Sequence, residues 1–69
     1  MLKEMLQNFV DGYGFGISKE KLADKAYRFL QANGFRPYII NEKYIGVDRE
    51  NEFQFIKSKK QNRWIVEQF

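Results

Sequence analysis

The sequence predicts a single small α+β domain over residues 1–69, with two N-terminal helices packed on a three- or four-stranded antiparallel meander sheet. Apolar residues recur at helical spacing before residue 35 and at strand spacing after it. The polar stretches between the expected strands are short, which favours antiparallel hairpins. A chain of 69 residues also has room for one core only. Helices that precede the strands and cover one side of a sheet define an α+β fold.

The first helix is expected near residues 2–10. Its apolar residues recur every three or four positions and would form one stripe on a helix. A glycine then stands at every second position over residues 12–16, which weakens both helix and strand, so the helix should end there. The stripe consists of Leu2, Met5, Leu6, Phe9 and Val10.

The second helix is expected over residues 19–33. Ser18 is a favourable N-cap, and Ile17 before it can pack on Leu22. Asn33 and Gly34 are typical of a left-handed stop after a helix. The apolar stripe of this helix contains Leu22, Ala26, Phe29 and Leu30.

Four short runs of β-branched and aromatic residues follow and predict four strands. Pro37 cannot donate to a strand ladder, so the first strand should be short or lie at a sheet edge. Gly46 indicates a bulge or a close packing point. The strands are expected at 36–40, 44–48, 52–57 and 63–69, the first two joined by Asn41-Glu42-Lys43. We expect a core that contains Leu6, Phe9, Leu22, Phe29, Leu30, Ile45 and Val47.

Both faces of the predicted sheet carry apolar residues. Side chains alternate between faces along a strand. On three of the strands a second group of apolar residues therefore points away from the face that carries Ile39, Phe55 or Trp64. Two short helices cover one side of a sheet, and the other side must curl on itself or be covered by another chain. The candidate partner interface consists of Tyr38, Ile40, Ile56, Ile65 and Phe69.

A basic cluster lies around the expected turn between the last two strands. A basic hairpin tip can contact phosphates, although lysine-rich turns more often serve solubility. The candidate nucleic-acid contacts are Lys57, Lys59, Lys60 and Arg63.

The segment Gly12-Tyr13-Gly14-Phe15 resembles the core of the ribonucleoprotein motif of RNA-recognition and cold-shock domains, which implies base stacking from a strand. The sequence departs from that motif at Asp11, where a basic residue is expected. It also lacks the strand context, because expected helices flank it. We therefore interpret the segment as a turn between the helices, and the same glycines lack the lysine and hydroxyl residue of a phosphate-binding loop.

The composition narrows the function further. The chain contains no Cys and no His, which removes disulfides, thiolate or imidazole metal sites and the usual nucleophile pairs. No carboxylate pair is isolated in an apolar stretch, so we expect no enzyme, cofactor or metal. The net charge of +3 is mild and favours neither nucleic acid nor protein as the partner.

Together these features predict a small, non-catalytic binding or regulatory module that acts through protein–protein contact or self-association. A nucleic-acid-binding protein that uses the Lys57 to Arg63 hairpin is the alternative. The N-terminus carries charges where a signal peptide would be apolar, and no run reaches membrane-spanning length, so a cytoplasmic protein is expected. Residues with AT-rich codons outnumber those with GC-rich codons, which suggests a phage or low-GC bacterial inhibitor or regulator.

Overall fold

The structure, a computed structural model, describes residues 1–40 and 44–69. Two helices come first and four strands follow, which confirms the predicted α+β fold. The expected connection over residues 41–43 lies outside the described residues. The helices are α1 (Leu2–Asp11) and α2 (Lys19–Ala32), and the strands are β1 (Pro37–Ile40), β2 (Tyr44–Val47), β3 (Asn51–Ser58) and β4 (Arg63–Gln68).

The ends of α2 are formed by the residues that the sequence indicated. The Ser18 hydroxyl accepts a hydrogen bond from a backbone N–H of the first turn at 3.3 Å. At the other end, the N–H of Phe35 donates to the carbonyl of Leu30 at 3.0 Å, and the N–H of Gly34 donates to Gln31 at 3.1 Å. These two bonds define a Schellman motif, and Gly34 adopts the left-handed φ of +86° that the motif requires.

The strands form one antiparallel sheet in the order β1-β2-β3-β4, which is the predicted meander. Pro37 begins β1, and β1 is a four-residue edge strand, as expected for a residue without a backbone N–H. The second strand is one residue shorter than predicted. Asp48 and Arg49 adopt φ values of 54° and 70°, so the chain turns into the hairpin at residue 48.

The core lies between the two helices and one face of the sheet. Leu6, Leu22 and Leu30 are buried as predicted. Phe9 and Phe29 are expected in the core from the sequence but are half-buried, since the pair packs against the outside of the core. Their rings stack on each other at 4.1 Å. The buried hydrophobic residues are Leu6, Val10, Leu22, Ala26, Leu30, Ile45, Val47, Phe53, Phe55, Trp64 and Val66.

The side chain of Gln7 joins α1 to the outer edge of β4. Its Nε2 donates to the carbonyl of Trp64 at 2.9 Å, and its Oε1 accepts from the N–H of Val66 at 2.8 Å. The carboxamide therefore makes the two hydrogen bonds that a neighbouring strand would make. This contact closes the β4 edge at these residues, since unpaired edge groups otherwise invite another strand.

Candidate functional site

One face of the sheet lies opposite the helices, and we call it the open face. Directly paired residues on neighbouring strands share a face. The buried pairs Ile45 with Phe53 and Phe55 with Val66 therefore define the helix side, and the alternate residues point the other way. The open face contains Tyr38, Ile40, Gly46, Glu52, Gln54, Ile56, Ser58, Arg63, Ile65, Glu67 and, after β4, Phe69.

The structure places every residue of the predicted partner interface on the open face. Ile56 and Ile65 lie directly opposite each other on β3 and β4. Tyr38 and Ile40 lie on β1, while Phe69 follows β4 and donates its N–H to a β3 carbonyl at 2.9 Å. Tyr38 and Ile56 are 37% exposed and Phe69 is 62% exposed. The alternation of side chains thus separated these residues from the core residues of their own strands, and their role in binding stays a prediction.

Tyr38 lies across the backbone of Gly46, its direct partner on β2. A methyl group at residue 46 would collide with the far end of the Tyr38 ring. Glycine therefore lets the ring lie flat against the sheet, and the sequence-based expectation of a close packing point is confirmed.

A Gly46→Ala variant is expected to push the Tyr38 ring off the sheet and to lower the free energy of unfolding by about 1–2 kcal/mol, as overpacking does. The ring-current shift of the residue 46 backbone protons in an NMR spectrum reports the position of the ring. Gly14→Ala is the matched control, because a Cβ at residue 14 meets no atom within 4 Å. An unchanged ring-current shift in Gly46→Ala would contradict this packing.

Carboxylates interrupt the apolar surface of the open face. Glu52 on β3 and Glu67 on β4 are exposed. Gln54, which follows Glu52 on the same face of β3 and lies directly opposite Glu67, is half-buried. Glu67 also lies between Ile65 and Phe69 along the β4 direction. A protein that covers this face must therefore leave these carboxylates at the rim or pair them.

Lys57 points to the helix side of the sheet, away from the open face. Its Nζ lies 4.6 Å from the centre of the Phe15 ring and 5.7 Å from that of Trp64. Such cation–π contacts hold the ammonium group against the two rings. Phe15 comes from the glycine-rich segment, which lies in the loop between α1 and α2 as interpreted from the sequence.

The remaining basic residues of the predicted nucleic-acid contact are also separated. Arg63 forms two hydrogen bonds with the Asp11 carboxylate, at 2.8 and 3.2 Å, and this pair links β4 to the end of α1. Lys59 and Lys60 are exposed in the turn between β3 and β4. The structure therefore leaves two of the four predicted cations at the turn, while Lys57 and Arg63 each contact other parts of the domain.

Sequence reasoning missed Ile39 as an exposed residue. Its alternation with Tyr38 and Ile40 assigned it to the helix side, and the structure places it there. It is nevertheless 54% exposed, because β1 is the edge strand of the sheet. Pro37 could have predicted this exposure, because it already indicated that the first strand lies at a sheet edge.

No known protein family, curated protein or solved structure matches this chain. Within residues 1–40 and 44–69, no group of three or more acidic side chains is arranged to hold a metal ion. Over the same residues, neither helix has the length and apolar composition that crossing a bilayer requires.

Proposed function

We propose that this chain is a non-catalytic binding or regulatory module that acts through protein–protein contact on the open face. The supporting observation is that Tyr38, Ile40, Ile56, Ile65 and Phe69 share one sheet face and that neither helix packs on it. Exposed apolar side chains on a sheet face that no helix covers are typical of an interaction site. Aromatic and aliphatic side chains also supply most of the binding energy in protein interfaces.

A second copy of this chain is the partner to which the proposal commits. The open face carries five apolar side chains and two exposed carboxylates, Glu52 and Glu67, so two copies can bury its apolar side chains in an arrangement that keeps these carboxylates at the rim. The accessible surface of 4870 Å² is close to the value of ~4,600 Å² expected for a compact monomer of 8.3 kDa. The proposed dimer therefore forms from two domains that are each already folded.

The proposed compartment and origin of the protein rest on its amino-acid composition. A cytoplasmic protein agrees with a chain that contains no Cys, since disulfides belong to oxidising compartments. The preference for residues with AT-rich codons fits a regulator or inhibitor from a phage or a low-GC bacterium. The sequence of the coding DNA would test this origin.

Substituting Ile56→Asp or Ile65→Asp is expected to weaken self-association at least tenfold, because the dimer would bury a carboxylate against apolar side chains. Sedimentation velocity over a concentration series measures the dissociation constant. Ile39→Asp is the matched control, since it places the same charge on an exposed isoleucine outside the open face. Unchanged fluorescence of Trp64, the single tryptophan, would show that each variant is folded.

Two results would contradict the proposal. The first is a wild-type protein that stays monomeric at millimolar concentration. The second is salt-dependent binding to duplex or single-stranded nucleic acid that Lys59→Ala with Lys60→Ala weakens, while the slope of log affinity against log salt concentration becomes shallower by about 2. This second result would favour the nucleic-acid alternative instead.

A further inference from the structure

The hydrogen-bond pattern of the sheet determines which backbone groups β1 presents to solvent. The N–H of Asp48 donates to the carbonyl of Arg36 at 3.1 Å, which makes these two residues a bonded pair. Bonded and non-bonded pairs alternate along antiparallel strands, so the next bonded pair is Tyr38 with its β2 partner. The backbone groups of Pro37 and Ile39 therefore point away from β2, along the free edge of the sheet.

The free edge offers a short and specific set of hydrogen-bonding groups. Ile39 presents one N–H and one carbonyl, and Pro37 presents a carbonyl alone because proline has no N–H. No hydrogen bond from the described residues reaches these groups. One antiparallel strand added here would form two hydrogen bonds with Ile39 and one with the carbonyl of Pro37.

A groove of about 340 Å³ runs beside this edge, between α2 and β1. Its apolar lining consists of Ala23 and Tyr27 on α2 and the exposed side chain of Ile39. Glu20 and Asp24, in the first and second turns of α2, place two carboxylates on its rim. The groove can hold an apolar side chain, and its rim favours a cation beside that side chain.

We propose that the β1 edge binds an extended segment of another protein by strand addition. The segment has an aliphatic residue opposite Ile39 and a Lys or Arg two residues to either side. Residues two apart share a strand face, so the basic side chains reach the rim on which Glu20 and Asp24 lie while the aliphatic one fills the groove. This mode is known as β-augmentation, with backbone bonds for affinity and pockets for selectivity.

Charge favours such a segment over a second copy of this chain at the same edge. If Ile39 paired with Ile39 of a second copy, Pro37 of that copy would lie two residues away on the same face, in a position where the rim favours a cation. The pairing would also bring a second Glu20 and Asp24 towards the first pair, and like charges oppose association. Asp24 already bonds to Arg28 at 3.2 Å, whereas Glu20 has no ion pair with any described residue. This surface is separate from the open face, so the inference does not rest on the proposed function.

The probe is a capped peptide, acetyl-Thr-Lys-Thr-Val-Thr-Lys-Thr-amide, titrated into the isotopically labelled full chain and followed by NMR. We expect saturable shifts of the Ile39 amide with a dissociation constant of about 0.1–1 mM, a value reasonable for three backbone bonds and one buried side chain. Methylating the valine nitrogen of the peptide should abolish binding, since that N–H pairs with the carbonyl of Ile39. Replacing both lysines by glutamate should weaken it at least tenfold.

Protein variants identify the surface that the peptide uses. Glu20→Gln combined with Asp24→Asn should weaken the lysine peptide about fivefold, while the matched pair Glu52→Gln with Glu67→Gln on the open face should leave its affinity unchanged. Ile65→Asp should also leave it unchanged, so this inference and the proposed function can fail separately. The inference is overturned by an absence of shifts, by equal affinity of the methylated peptide, or by shifts confined to the open face. Self-association that Ile39→Asp abolishes would overturn it in favour of a second copy.

Discussion

A Phe53→Ala variant is expected to lose about 3–5 kcal/mol of unfolding free energy, the range for removing a fully buried phenylalanine. Phe53 has no exposed surface and is the largest of the fully buried side chains. It lies on β3, a central strand, and pairs with Ile45 on β2. A domain of this length has a total stability of roughly 3–10 kcal/mol, so the variant should be largely unfolded at 37 °C.

Urea unfolding followed by the fluorescence of Trp64 measures this loss, because that side chain is only 6% exposed and becomes hydrated on unfolding. Phe29→Ala is the matched control. Its ring is half-buried and stacks on Phe9, so its removal should lower the stability by about 1–2 kcal/mol. Equal losses for the two variants would show that the core extends to the Phe9 and Phe29 pair.

Replacing Gln7 by alanine is expected to lower the free energy of unfolding by about 2 kcal/mol. The change removes the two hydrogen bonds of the carboxamide to β4 and a third, to the Asp11 carboxylate at 3.0 Å. It leaves the carbonyl of Trp64 and the N–H of Val66 without their partner. Partly buried groups that lose their partners carry a desolvation penalty of about 1–3 kcal/mol. The Val66 amide should therefore exchange with solvent faster by native-state hydrogen exchange.

Asn8→Ala is the control for this experiment, because Asn8 is exposed on the same helix and Gln7, its neighbour, makes the side-chain hydrogen bonds to β4. Its effect should stay within about 0.5 kcal/mol, as for most surface substitutions. Unchanged protection of the Val66 amide in Gln7→Ala would show that another group closes the β4 edge.

The sequence predicted the elements because their signals are local. The Ser18 cap, the Gly34 stop and Pro37 at an edge strand each act through the backbone within a few residues, and the structure confirms all three. The alternation of side chains also separated Ile56 and Ile65 from the core residues of their strands.

Contacts across the fold were not predictable in the same way. Gln7 is a polar residue outside the apolar stripe of α1, and its partner Trp64 is 57 residues away. Their meeting depends on how α1 docks along β4, which no periodicity describes. The placement of Lys57 between Phe15 and Trp64 depends on the same docking, and the basic cluster therefore looked more continuous in the sequence than it is in the fold.

The two edges of the sheet, β1 and β4, differ in whether another strand can be added to them, and this difference limits how the sheet can grow. A molecule forms fibrils through its strands only if it can be extended at both edges, and such growth is the hazard of any exposed edge strand. Here Gln7 closes the β4 edge at Trp64 and Val66, so each molecule offers a single strand edge for pairing. Strand pairing through β1 therefore ends after one addition, because the sheet cannot be extended from its other edge.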